Sequence, residues 1–245
     1  MTLFDPIIKC CSDLLRSFPQ AKETSDYIDN RLSRQAQEKF GFGYFPPNEH
    51  LDLLSSIVGE DILKDCDLIY DKIYNGQKYR CSIMNDYQMI LPYKNVYGEI
   101  IGIVGRSILS DEQRKVAGIS KYKNTHIAKK LNLFGLYEAK NAILNKDYVI
   151  IVEGQFDVIK SHDKELENIV ALGSSSMSLE QLALVLRYTE NIKLLLDDDE
   201  AGAIGEKKTM ERFGGFGKIE KMRLPVGYKD IDSFLTENGA EELTI

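Results

Sequence analysis

Four short strand-like runs, the first three apolar, punctuate the C-terminal part of this chain: YVIIV at 148–152, NIVAL at 168–172, IKLLL at 192–196 and IEKMRL at 219–224. A helix-like segment comes after each of them, in order FDVIKSH, SLEQLALVLRY, AGAIGEKKTMERF and DIDSFLTE, the second with Ser178 as its N-cap. Strands that are apolar on both faces and alternate with helices build a parallel sheet covered by helices. The fold class expected is therefore α/β. Sites in open sheets of this kind form beyond the carboxyl ends of the strands. That rule directs attention to whatever stands just after each run.

The first half reads differently. PIIKCCSDLLRSF has helical spacing and should end at Pro19. SDYIDNRLSRQAQEKF reads as a second helix with Ser25 or Asp26 as cap, and GFGYFPPN is a cluster of breakers. EHLDLLSSIVGEDILKDC reads as one helix interrupted at Gly59 or as two short ones. YQMILPYKNVYGEIIGIVGRSI predicts two strands joined by a turn around Asn95 to Gly98. The expected organisation is a mixed α/β lobe over residues 1–146 and a parallel-sheet lobe over 147–245.

Acids stand beyond three of the four runs. Glu153 comes directly after YVIIV, Asp197 and Asp199 after IKLLL, and Asp230 and Asp232 after IEKMRL and a short loop. Asp157 lies four residues beyond Glu153, within reach where the chain turns into a helix. Asp197 and Asp199 share a face in extended backbone, so Asp198 and Glu200 point elsewhere. Two carboxylates ~4 Å apart repel by about 4 kcal/mol at an effective dielectric of 20. Either some of the groups stay protonated or cations bind among them. Helix N-termini also attract acids, and capping alone explains any single pair. Three acidic positions after separate strands point instead to a metal site, and an all-oxygen ligand set favours Mg²⁺ or Mn²⁺ over zinc.

Charge and cysteine use narrow the class. The 245 residues carry a formal charge of −7, which taken alone argues against nucleic acid as a partner. Between Gly105 and Lys130, however, Arg106, Arg114, Lys115, Lys121, Lys123, Lys129 and Lys130 face only Asp111 and Glu112, a net of +5. Such a stretch is either a solvated loop or a phosphate-binding surface. Cys10, Cys11, Cys66 and Cys81 form no C-x-x-C pair, and His50, His126 and His162 are scattered, so free thiols in a reducing, cytoplasmic compartment and no zinc are expected. No run is long enough to span a membrane, and GGFGKIEK lacks the ending of a P-loop.

VEGQFDVIKSH and LLLDDDEAG together resemble a TOPRIM domain: Glu153-Gly154 after one strand, then Asp197-x-Asp199-x-Ala201-Gly202 after a later one. FGFGYFPPN, ILPYKNVYGEIIGIVGR, KYKNT and LFGLYEAK precede these in order, and VALGSSSM and LPVGYKDIDSFL complete the series. The ordered set is similar to the RNA-polymerase core of bacterial- and phage-type DNA primases, from near residue 20 to the end. The resemblance implies a TOPRIM lobe at the C-terminus and synthesis of short RNA primers on single-stranded DNA. It also implies two or more Mg²⁺ or Mn²⁺ ions and ribonucleoside triphosphates as substrates. By position it assigns Glu153, Asp197 and Asp199 to catalysis and, with Asp157, Asp230 and Asp232, to metal binding. Arg106, Lys121, Asn124 and Lys129 match positions associated with template and nucleotide phosphates.

The sequence departs from the pattern in places. The family's Asp-Gly-Asp is Asp197-Asp198-Asp199 here, Lys130 replaces a usual Gly, and Gln88 stands where an Arg is usual. Neither the zinc-binding module nor a helicase-binding tail is expected in this chain. A replicative helicase and a separate zinc-module chain are therefore expected partners, and a phage or mobile-element origin, or a fragment of a longer protein, is expected as well. Two other classes use the same residues: a TOPRIM nuclease, and a non-catalytic DNA-binding subunit of a replication machine.

Overall fold

The computed structural model describes residues 1–228 and 230–243; Lys229, Thr244, Ile245 and the side chain of Glu241 lie outside the description. The chain condenses into two compact units, Met1–Tyr93 with Glu99–Ile127, and Lys94–Gly98 with Ala128–Ile245.

The first unit opens on the helix Phe4–Ser17, which buries Ile7, Cys10, Cys11, Leu14 and Leu15 along one face. It stops because Phe18 precedes Pro19 and is held extended. The next stretch corrects the sequence expectation. Periodicity predicts one helix from Ser25 to Phe40; the structure has two, Lys22–Asp29 and Arg34–Phe40. Ser25 and Asp26 lie inside the first, and Ser33 caps the second by accepting from the Ala36 amide at 3.2 Å. Gly59, at φ +97°, likewise divides Leu51–Val58 from Glu60–Asp65.

The strands of this unit are β1 (Gly43–Tyr44), β2 (Ile69–Tyr74), β3 (Gln77–Ser82), β4 (Met89–Lys94), β5 (Ile100–Arg106) and β6 (Tyr122–Asn124). They form a four-stranded sheet in the order β1-β4-β5-β6 and a separate antiparallel hairpin, β2-β3. β4 and β5 are the expected pair, joined at Asn95 to Gly98. The hairpin is absent from the sequence reading, although its turn, Asn75-Gly76 with both φ positive, is a strong two-residue hairpin signal.

The β1 breaker cluster has a packing reason. A Cβ on Gly43 would lie 2.8 Å from the Cβ of Cys11 and 2.9 Å from its carbonyl carbon. Only glycine lets the strand approach the first helix this closely. Gly43→Ala is therefore expected to cost about 1–3 kcal/mol by overpacking, read as a lower urea midpoint at unchanged slope.

In the second unit β7 (Val149–Val152), β8 (Ile169–Ala171), β9 (Asn191–Leu194) and β10 (Lys218–Lys221) form one sheet in the order β10-β9-β7-β8, with all neighbours parallel. All four coincide with the strand-like runs of the sequence. Helices Gln155–Asp163, Leu179–Val185, Glu200–Phe213 and Ile231–Glu237 come after them in turn. Ser178 forms the expected cap, a capping box closed by Gln181. The helix Leu136–Lys146 also belongs to this unit and supplies Leu136, Ala139 and Ile143 to its core. There they join Val149, Ile151, Val170, Ile192, Leu194 and Phe213. Four parallel strands put their carboxyl ends on one edge, and that edge carries the acids.

The cysteines are free thiols; Cys10, Cys11 and Cys66 are buried and Cys81 is half-buried. Burial lifts the Cys66 thiol to about 11, so it is unreactive at neutral pH.

Candidate active site

Glu153 and Asp197 are placed by strand ends, Asp199 and Asp230 as helix caps, and Asp157 and Asp232 in first helical turns. The β7 backbone runs into Glu153, whose carbonyl accepts from the Gly173 amide at 3.0 Å. β9 continues as Leu195 and Leu196, the former bonded to Ile151 O at 2.9 Å, and delivers Asp197. The Asp199 amide then closes a tight turn onto Asp197 O at 2.9 Å. Asp199 begins the helix Glu200–Phe213 as its N-cap, Oδ1 accepting from Gly202 at 2.8 Å. Asp230 does the same for Ile231–Glu237, accepting from Ser233 at 2.8 Å. Asp199 and Asp230, named from the sequence as metal-site candidates, are thus helix caps. A cap occupies one lone pair of one oxygen and leaves the rest of the carboxylate for other ligands.

The glycines of the motif hold the acids close. A Cβ on Gly202 would strike the carbonyl oxygen of Asp197 and come within 3.1 Å of Glu153 Oε1. A Cβ on Gly154 would strike Asp157 Oδ2, and one on Gly205 the carbonyl of Ser175. Glu153 also accepts from the Asp197 amide at 3.4 Å, a long contact that ties the two strand ends together.

Electrostatics shows that the acids converge. Burial, then the charges of Asp197 and Asp199, push the Glu153 carboxyl up from its ordinary value. Asp157, half-exposed at its rim but densely surrounded, is pushed to about 7, first by burial and then by Asp197, Asp230 and Asp232. The Asp232 amide partly offsets this by donating to it. Asp197 thus acts on both Glu153 and Asp157, Asp199 on Glu153, and Asp230 and Asp232 on Asp157. Asp198, Asp199 and Glu200 are exposed and Asp197 is half-buried. Among the described residues no three His, Cys, Asp or Glu side chains already stand close enough together to hold a metal ion. The donor set, all carboxylate and open to water, nevertheless fits a hydrated Mg²⁺ or Mn²⁺ ion, which keeps several of its waters.

The four basic and polar candidates divide between the units. Lys129 belongs to the second; it is half-buried, and that burial lowers its pKa. Its Cδ lies 3.3 Å from where a Cβ of Gly173 would be. Arg106, Lys121 and Asn124 belong to the first, on or beside the paired strands β5 and β6. Lys121 is exposed, with Nζ 5.8 Å from the Tyr122 ring centre. Asn124 Oδ1 is buried with no hydrogen-bond partner among the described residues. Arg106 is only 6% exposed. Its guanidinium donates to Tyr122 Oη at 2.8 Å and Tyr27 Oη at 2.9 Å.

One cluster escapes the sequence reading. Glu206, 5% exposed, holds both Lys221 (2.7 Å) and Arg223 (2.5 Å). The available signal is an acid on the inward stripe Gly202, Gly205, Glu206, Thr209, Phe213 of its helix.

Residues 150–235 match the family described as Toprim-like, and residues 12–140, just over half of the chain, match the N-terminal domain of the DNA primase catalytic core. The chain belongs to the DNA primase catalytic-core family. Among curated relatives, the DNA primase of Aquifex aeolicus is 30% identical over 239 residues, covering 96% of this chain and 46% of the relative. That of Pseudomonas putida is 31% identical over 250 residues, covering 96% and 36%. The chain thus spans less than half the length of these primases. Of solved structures, the zinc-binding and RNA polymerase domains of the Aquifex aeolicus primase superpose with TM-score 0.78 at 26% identity, over 99% of this chain and 60% of that one. The DnaG primase catalytic domain bound to ssDNA gives TM-score 0.80 at 24% identity, over 98% and 77%, and shares the fold.

Proposed function

We propose that this chain is the catalytic core of a primase, a nucleotidyltransferase that makes short RNA primers on a single-stranded DNA template. The observation that carries the reading is the convergence of Glu153, Asp157, Asp197, Asp199, Asp230 and Asp232 at one sheet edge of a primase-core chain, with Asp157 pushed to about 7 by its surroundings. These six residues are assigned to two or more Mg²⁺ or Mn²⁺ ions. Bound there, the ions supply Lewis-acid activation of the attacking hydroxyl and neutralise charge on the leaving pyrophosphate. The 3′-hydroxyl oxygen of the growing RNA forms a bond to the α-phosphorus of a ribonucleoside triphosphate. The bond from that phosphorus to the bridging oxygen of pyrophosphate breaks. Glu153, whose hold on a proton is strengthened by burial and by Asp197, is assigned as acceptor of the hydroxyl proton.

Lys121, Asn124 and Lys129 are assigned to template or nucleotide phosphates. Arg106 acts one step back, fixing the hydroxyls of Tyr27 and Tyr122. A replicative helicase and a zinc-module chain are assigned as partners that raise initiation. Among the described residues no helix is long and apolar enough to cross a membrane.

The test is direct. The purified chain is incubated with single-stranded DNA, labelled ribonucleotides and Mg²⁺ or Mn²⁺. New short RNAs are the expected product, more abundant when a zinc-module chain is added. Template cleavage without RNA would instead identify a nuclease, and DNA binding with neither product a non-catalytic subunit.

A further inference from the structure

Beside the acids lies a guanidinium that primer synthesis, as assigned to the six carboxylates and to the basic and polar candidates, leaves without a task. Glu206 faces inward from the second turn of Glu200–Phe213, where a lone carboxylate so close to Asp197, Asp198 and Asp199 would be unfavourable. One cation would offset it, and Lys221 reaches it at 2.7 Å. Arg223 is bound to it as well. Nη1 of Arg223 donates to both Glu206 Oε2 at 2.5 Å and the Met222 carbonyl at 3.0 Å. Nε and Nη2 make no hydrogen bond among the described residues, the charge of Asp198 also acts on the guanidinium, and the side chain is 56% exposed. The structure therefore holds one end of a planar donor fork rigid and leaves the other end open.

The Arg223 side chain lines two cavities. One is a crevice of about 30 Å³ walled by Asp197, Asp198, Asp199 and Gly202, room for a single ion or water. The other is a groove of about 300 Å³ lined by Leu195, Leu196, Pro225 and Tyr228, at the lower end of the size range for small-molecule sites. Arg223 and Asp198 line both. A ligand spanning them must present an anion to a fixed guanidinium, oxygens to cations held by the carboxylates, and an apolar or flat part to the groove. A nucleoside triphosphate has all three.

Resting on the primase reading, we infer that Arg223, anchored by Glu206, binds a phosphate oxygen of the incoming nucleoside triphosphate, with the nucleoside end in the adjoining groove. Arginine suits the task because its fork matches phosphate geometry and its charge is constant. Glu206 is a positioning residue: it fixes the fork and does not touch the nucleotide.

The experiment compares wild type with Arg223→Met and Arg223→Lys in primer extension and in equilibrium dialysis with Mg·ATP. Loss of a charge-assisted contact is expected to weaken Mg·ATP binding and raise the nucleotide KM by about tenfold or more, with kcat within about twofold and the template KM unchanged. Arg223→Lys, which keeps the ion pair with Glu206 but not the fork, falls between the two. Equal Mg·ATP affinity in wild type and Arg223→Met would overturn the assignment. So would recovery of the Arg223→Met defect on adding Asp198→Asn, since Arg223 would then serve only to neutralise Asp198. Failure of the primase reading shows separately, as wild-type protein that makes no RNA, while dialysis still decides the role of Arg223.

Discussion

The double variant Asp197→Asn, Asp199→Asn is expected to lose about a thousandfold in primer synthesis while its metal-free form melts no lower than wild type. The two halves of the result have different causes. Metal-assisted chemistry is worth several kcal/mol, and each 1.36 kcal/mol off the barrier is a factor of about ten. Two neutral amides hold Mg²⁺ far less well than two carboxylates. The fold survives because Asn caps helices about as well as Asp, so the bond from Gly202 to residue 199 is kept. Alanine would confound the test by removing that cap, at about 1 kcal/mol. Removing two negative charges that raise the Glu153 pKa also relieves repulsion, so the metal-free stability should hold or rise. Primer synthesis near the wild-type rate in this variant, at millimolar Mg²⁺, would refute the metal assignment.

Legibility in the sequence depended on how local the determining physics is. The β7 to β10 sheet was legible because three of its strands are short apolar runs and a helix begins close behind each strand, all within a few residues of chain. The position of the acids came from the same pattern, since parallel strands bring their carboxyl ends to one edge. The first unit was less legible where competing local signals lie close together. The stretch from Ser25 to Phe40 has unbroken helical periodicity, yet Ser33 starts a new helix there, because a side chain that bonds the Ala36 amide does so only with its own backbone extended. The β2-β3 hairpin carries polar and aromatic residues on exposed faces, so its alternation is masked, and only Asn75-Gly76 announces it.

Side-chain partnerships across long separations were the least legible. Glu206 and Arg223 are brought together only when β10 lines up beside β9 and the helix after β9 packs onto the sheet. Arg106 was matched to a phosphate contact by its place in the family pattern, at the start of a basic stretch. Its two tyrosine partners come from distant parts of the same unit, Tyr27 being 79 residues away, and no local pattern announces them.

The second large effect concerns Asp157 and pH. In metal-free protein its carboxyl is raised from 3.8 to about 7, so the folded state holds this proton more tightly than the unfolded chain. Linkage sets the sign: for a group raised on folding, the contribution to stability is fully present below about pH 4, falls as pH rises to about 7 and is flat beyond. A difference of about 3 pH units corresponds to about 4 kcal/mol. Asp157→Asn removes the ionisation while keeping the shape. In EDTA the variant should gain on wild type as pH rises from 5 to 8, by up to about 2–3 kcal/mol in urea melts. Added Mg²⁺ should narrow or reverse the gap, because cations bind the ionised wild-type site and release its proton. Primer synthesis by the variant should fall in parallel. A gap independent of pH would show that Asp157 titrates as an ordinary surface carboxylate. A gap unaffected by Mg²⁺ would remove Asp157 from the ligand set while leaving the other five acids in place.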